Sequence, residues 1–332
     1  MNTSEFGALM RSEAAESADV LRRTLGTRPL EPLLTPRPRA IYSIARGSSD
    51  AAATVLNYEF MRVLKVPATT LPPSVFSVGD GVEFHDSTAI AISQSGASGD
   101  LVAAAKGAAT SGAQVIAITN VAGSPVEAQA HHRIAINAGP EKAVPATKSV
   151  VGAIAAGMAL IASADADYAR SIDAILPTLD ASTPPTSIEA ADLPAKIAAS
   201  KHIFVVGRQA TFGAAQEVAL KIKECCGIHA EAYSASEIIH GPMQLAGPDL
   251  LTIILDDETP ALAGSLDLAH DRFESAGSTV VRLSLEHATP LPQALSAAFF
   301  LIHLYPQILE AALALGINPD SPSLLAKVTQ TL

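Results

Sequence analysis

Tryptophan is absent, cysteine occurs only twice, and aromatic residues make up 4% of the 332-residue chain. With so few large rings, the core must be built from alanine and small aliphatics, as in helices packed tightly on sheets, and 48% hydrophobic residues supply ample material. The two cysteines, Cys225 and Cys226, are sequence neighbours, which suits neither a structural disulfide nor a metal site. A reducing, cytoplasmic setting is the expectation. No basic run exceeds a pair and the formal net charge is −11, so a footprint for nucleic acid or an anionic membrane is missing. The start, Met1-Asn2-Thr3-Ser4-Glu5, lacks a basic segment followed by an apolar core, and no secretory signal is expected. The uncharged stretch Ser149–Ala164 falls short of the roughly 20 apolar residues that span a bilayer and reads as a buried helix. An anionic substrate would be repelled at long range, so any phosphate site must rely on local amides, hydroxyls and a few lysines.

The most informative stretch is Ala89-Ile90-Ala91-Ile92-Ser93-Gln94-Ser95-Gly96-Ala97-Ser98-Gly99-Asp100. It reads as strand, tight turn and helix, with the helix continuing over Leu101–Thr110 and stopping near Gly112. Unpaired amides at the start of such a helix point out of the carboxyl edge of the sheet and form an anion site. Ser93, Ser95 and Ser98 would add hydroxyls, and Gly96 and Gly99 would let the backbone approach. An ordinary N-cap by Ser98 accounts for part of the same pattern. Asp100 would repel a bound phosphate unless its side chain turned outward to cap the helix.

Around it, strands alternate with helices. An amphipathic helix over 8–27 and a proline-rich connector lead to a strand at 40–45, a second small-residue turn at Arg46-Gly47-Ser48-Ser49-Asp50 and a helix over 51–64. Further strands are expected at 66–71, 114–119 and 133–136, with a helical or irregular segment over 74–84. This pattern requires a parallel, doubly wound sheet. Polar residues over 165–195, with Pro184-Pro185, read as a connector. Beyond it Ile203–Arg208 echoes Ile41–Arg46 and Leu250–Leu255 echoes Thr88–Ser93, so one fold is used twice. In the second copy Asp256-Asp257-Glu258 replaces the serines, which leaves the anion site to the first half alone.

Gln216–Glu224 is helical by period and places Lys221 and Glu224 on one face, either as a solvated ion pair or as a catalytic one. His240 precedes Gly241-Pro242, where it could be exposed and oriented or simply end a helix. His131, His132 and His229 lack partners at metal-ligand spacing and receive no role.

Ser93-Gln94-Ser95-Gly96, Ala146-Thr147-Lys148, Leu220–Glu224, His229-Ala230-Glu231-Ala232-Tyr233, His240-Gly241-Pro242 and Leu325-Ala326-Lys327 together resemble the SIS (sugar isomerase) double-domain family, in the form of the isomerase half of glucosamine-6-phosphate synthase. The resemblance implies an α/β fold of two tandem SIS domains, each a three-layer α/β/α sandwich with a mainly parallel sheet, working as a homodimer with shared active sites. The division it implies is a helix over 1–27, a first domain over 28–165, a connector over 166–195 and a second domain over 196–332 ending in a catalytic tail.

Carried onto this chain, it makes Ser93, Gln94, Ser95 and Ser98 the phosphate and sugar contacts, with Ser49, Val144 and Ala146 near the sugar. It makes Glu224 the carrier of a proton between C1 and C2, His240 the ring-opening residue and Lys327 the Schiff-base amine, with Lys221 positioning substrate and His240 supplied from a neighbouring subunit. No cofactor and no metal are implied. Pro145 and Ala146 stand where the family usually has alanine and serine, which removes one hydroxyl contact. No glutaminase domain precedes the motifs, and the expectation is therefore deamination, glucosamine-6-phosphate plus water giving fructose-6-phosphate and ammonia. Galactosamine-6-phosphate, a fructosamine-6-phosphate conjugate, or a sensor that binds a sugar phosphate without turnover are the alternatives.

Overall fold

The computed structural model describes residues 5–179, 192–285 and 291–327. In chain order the elements begin with helices α1 (Ala8–Ala15) and α2 (Ser17–Leu25). There follow β1 (Ala40–Ile44), α3 (Ser48–Leu64), β2 (Ala68–Thr70), α4 (Ser74–Ser77), β3 (Ser87–Ser93), α5 (Gly99–Thr110), β4 (Gln114–Thr119) and β5 (His132–Ala135). Helices α6 (Lys148–Ala164), α7 (Ala166–Ile175) and α8 (Leu193–Ala199) lead to β6 (His202–Gly207), α9 (Ala210–Cys226), β7 (His229–Ser234) and α10 (Ala235–Ile238). The last elements are β8 (Leu250–Asp256), α11 (Pro260–Ser275), β9 (Thr279–Ser284) and α12 (Gln293–Ala314).

The described residues divide into two compact units, one holding 16–141 and 148–179, the other 5–15, 142–147, 192–285 and 291–327. The helix expected over 8–27 is interrupted at Glu16, and its two pieces fall in different units. Part of the connector, including Pro184-Pro185, lies outside the described residues.

The first unit carries a parallel sheet in the order β2-β1-β3-β4-β5. All seven residues of β3 are buried, as an apolar strand covered on both faces must be. Helices α2 and α3 pack on α6, where Gly157 makes room for Leu56, since a Cβ there would come within 2.3 Å of the leucine side chain. The second unit repeats the plan with a parallel sheet β7-β6-β8-β9, so that β6 and β8 take the places of β1 and β3, as the sequence echo requires. Its core joins the sheet to α9 and α12. Helix α12, at 22 residues, is long and apolar enough to cross a membrane by length and composition. Of its apolar window 67% is buried, the state of a core helix.

Candidate functional site

In the first unit the adjacent parallel strands β1 and β3 end side by side, with Ile44 opposite Ala91, and both turns open at the carboxyl edge. Helix α3 starts earlier than expected, at Ser48, so Ser49 occupies its first turn, preceded by Gly47 at φ +54°. After β3 the chain folds onto its own hydroxyls: the Gly96 amide donates to Ser93 Oγ at 3.0 Å and the Ala97 amide to Ser95 Oγ at 3.3 Å. Gly96 is left-handed, at φ +61°, and a Cβ there would lie 2.2 Å from Ser124 Oγ, so only glycine fits. The Val126 amide, donating to Gly96 O at 3.0 Å, ties the turn to the next loop. Ser98 stands at the N-cap position of α5 in extended geometry but makes no side-chain cap hydrogen bond, which leaves its hydroxyl half-buried beside the helix's first amides. Ser49, Ser93, Gln94, Ser95 and Ser98 are thus gathered by two helix starts at one sheet edge.

Asp100 departs from expectation. It does not turn outward; its side chain is fully buried and pairs with Arg46 from the neighbouring turn. The pairing answers the repulsion anticipated from sequence, because the carboxylate charge is met by a guanidinium that is itself half exposed.

In the second unit the equivalent turn is closed to anions. Asp256 accepts from Arg282 Nε at 2.9 Å and Nη2 at 2.6 Å and from the Glu258 amide at 2.9 Å, and burial raises the pKa of the neighbouring Asp257. The chemistry of this unit sits on α9. Lys221 is fully buried between two carboxylates of its own helix, one turn before and one turn after: Glu217, 3.6 Å away and fully buried, and Glu224, in direct contact and 21% exposed. Burial alone would draw the Lys221 pKa down, but Glu217 and then Glu224 reverse the sign and hold it well above its ordinary value. The ammonium is therefore permanent at neutral pH, and it fixes the position of the partly exposed Glu224. Tyr305 of α12 donates to Glu217 Oε1 at 3.2 Å and completes the buried chain of contacts. Glu217 was legible from its i, i+4 spacing to Lys221, whereas nothing in the sequence signalled Tyr305.

His240 is exposed, its amide donating to Glu237 O at 3.1 Å, in the loop that follows β7 and α10 at the carboxyl edge of its sheet. Glu224 lies near the opposite edge, because α9 returns the chain to the amino end of β7. A six-residue strand spans about 20 Å, so within one chain His240 and Glu224 are not brought together. Val144 and Ala146 are half-buried in a loop whose Lys142 and Ala143 amides both donate to the Glu13 carboxylate. The Val144 amide donates to Asp320 O at 3.2 Å, and the Asp320 carboxylate accepts from the Leu9 and Met10 amides at 2.9 and 2.8 Å at the start of α1. Asp320 thereby anchors the base of the tail that runs to the half-buried Lys327. Both cysteines are buried, and burial raises their thiol pKa values, Cys226 to about 12. Neither has the thiolate character of a nucleophile.

A family described as the SIS domain matches this chain over residues 34–163 and 196–301. Among relatives, glutamine–fructose-6-phosphate aminotransferase (isomerizing) from Halobacterium salinarum is 36% identical over 242 residues, 68% of this chain and 39% of that protein. The enzyme of that name from Aquifex aeolicus is 28% identical over 323 residues, 93% of this chain and 55% of that protein. The chain thus spans about half the length of the curated relatives it matches. Among solved structures, one from Silicibacter pomeroyi DSS-3, assigned as a phosphosugar isomerase, is 32% identical with a TM-score of 0.81, covering 94% of this chain and 99% of that one. Glucosamine-6-phosphate deaminase from Thermotoga maritima shares the fold, with a TM-score of 0.75 at 22% identity over 97% of this chain and 99% of its own.

Proposed function

From the premise that this chain belongs to the SIS domain family, we propose that it is an amino-sugar phosphate deaminase, converting glucosamine-6-phosphate and water into fructose-6-phosphate and ammonia. The observation that carries the proposal is the buried Lys221 ammonium holding a partly exposed carboxylate, Glu224, against it. A carboxylate so fixed suits movement of a proton between neighbouring carbons, which general acid–base catalysis accelerates by about 10²- to 10⁴-fold. The phosphate is assigned to the turn at Ser93, Gln94, Ser95 and Ser98, where two helix starts offer amides and Arg46 neutralises Asp100. Ser49, Val144 and Ala146 are assigned to the sugar.

In this reading His240 opens the sugar ring and exposes the C1 aldehyde. Glu224 then moves a proton from C2 to C1, which leaves an imine at C2. The Lys327 amine adds at C2 and displaces ammonia, and water hydrolyses that Schiff base to the ketose, returning the lysine. The separation of His240 from Glu224 across the sheet supports delivery of His240 from the partner subunit of a homodimer.

The reading is tested by following ammonia and fructose-6-phosphate from glucosamine-6-phosphate, with galactosamine-6-phosphate and a fructosamine-6-phosphate conjugate alongside. Release from glucosamine-6-phosphate alone supports it. Release from a conjugate alone keeps the chemistry and replaces the substrate, and thermal stabilisation by sugar phosphates with no release from any of them favours a sensor.

A further inference from the structure

His229 has a histidine neighbour that sequence spacing conceals. It opens β7, and in the parallel register of the second unit its neighbour is His202, the first residue of β6 and 27 positions earlier in the chain. Both rings are exposed at the amino edge of the sheet, with centroids 5.5 Å apart and planes at 78°. Their Nδ1 atoms face each other at 3.4 Å. That is long for an N–H···N hydrogen bond, which prefers about 2.9–3.0 Å. It suits a shared ion: with metal–nitrogen bonds of about 2.0–2.1 Å, a 3.4 Å separation gives an N–metal–N angle of roughly 110°, the tetrahedral value.

The outer side of His229 is prepared in the same sense. Its Nε2 lies 3.6 Å from Glu231 Oε1, while the other carboxylate oxygen of Glu231 accepts from the Tyr233 hydroxyl and is held in place. A carboxylate at ion-pair distance behind an imidazole attracts a proton on its outer nitrogen, and so favours the tautomer that leaves the inner nitrogen's lone pair for a metal. Among the described residues no cluster of three or more His, Cys, Asp or Glu side chains is placed to hold a metal. A metal held here would take its protein ligands from the two imidazoles, with solvent free to reach the exposed rings.

We propose that His202 and His229 form a binding site for a divalent transition-metal ion of the class imidazoles prefer, zinc or copper, with Glu231 as its outer support. The bound ion ties together the starts of β6 and β7, strands otherwise joined by their backbone ladder, and stabilises the folded unit by mass action. Neither histidine is assigned to the reaction proposed above, and the inference does not rest on it.

The test is a zinc titration of the full chain, followed by calorimetry and by thermal unfolding. The expected result is one equivalent bound per chain with a rise in Tm. Affinity falls at least about tenfold in both His202→Ala and His229→Ala, and about tenfold in Glu231→Gln, the usual loss when such a support is removed. His202→Gln, which keeps a polar side chain at the exposed position, behaves like His202→Ala, and His85→Ala, whose ring faces Glu83, leaves binding unchanged. No bound equivalent in the unmodified chain, or affinity unchanged in the His202 and His229 variants, would overturn the assignment.

Discussion

Replacing Lys221 with methionine should destabilise its unit far more than an ordinary lysine substitution does. Lys221 and Glu217 are both fully buried with 3.6 Å between Nζ and Oε1, so solvent screening does not discount their interaction as it does at a surface. Removing one member strands the other's charge in the core, which costs about 3–5 kcal/mol. For a unit of this size each kcal/mol lowers Tm by about 2–4 °C, so the expected fall is roughly 6–20 °C. The double variant Lys221→Met/Glu217→Leu should recover part of the loss, because an apolar pair of similar volume avoids the stranded charge. The dependence on pH follows from the direction of the lysine shift. Its folded pKa is raised above the ordinary 10.5, so its stabilisation is complete below the unfolded value and disappears only as pH rises through the folded one. Urea denaturation from pH 7 to pH 9 should therefore give a difference between wild type and Lys221→Met that does not shrink, because the wild-type contribution stays complete while the stranded Glu217 carboxylate becomes costlier to bury as pH rises. A loss under about 1 kcal/mol, or a difference that vanishes within that window, would refute the account of the buried pair.

Three further substitutions probe other parts of the site. Ser95→Asp places a negative charge beside the proposed phosphate, and repulsion of about 1–4 kcal/mol at 4 Å should weaken sugar-phosphate affinity by roughly 5- to 1000-fold in calorimetry; an unchanged Kd would remove the phosphate from this turn. Gly96→Ala forces a left-handed alanine against Ser124, with a conformational cost alone of roughly 1–2 kcal/mol, and should lower both Tm and sugar-phosphate affinity; if both hold at wild-type values, the turn is less constrained than its geometry indicates. Asp320→Ala removes the carboxylate that caps α1, costs about 1 kcal/mol, and should speed proteolysis of the segment leading to Lys327; unchanged proteolysis would show that the tail is anchored elsewhere.

The parts of the molecule legible in sequence were those in which neighbouring residues make the structure. The strand, serine turn and helix at 87–110, the repeated strand pattern and the i, i+3 pairing of Lys221 with Glu224 all depend on spacing within one segment. What escaped depends on register and tertiary contact. Asp100 looked obstructive because its partner, Arg46, lies 54 residues away, reached only when β1 pairs with β3. His229 looked solitary because His202 becomes its neighbour only across a parallel ladder. Tyr305 gave no signal at all, its part in supporting Glu217 being set by how α12 packs on α9. The single helix read over 8–27 illustrates the opposite failure: its apolar spacing is continuous, yet the chain passes from one unit to the other at Glu16.

The most direct test of the central claim is the split between binding and turnover in Glu224→Gln, measured with glucosamine-6-phosphate against the unmodified chain. The amide keeps the shape of the carboxylate but cannot carry the proton. The account predicts ammonia release reduced at least about 100-fold with sugar-phosphate affinity close to wild type. Release retained within tenfold would contradict it, because proton transfer would then belong to another residue.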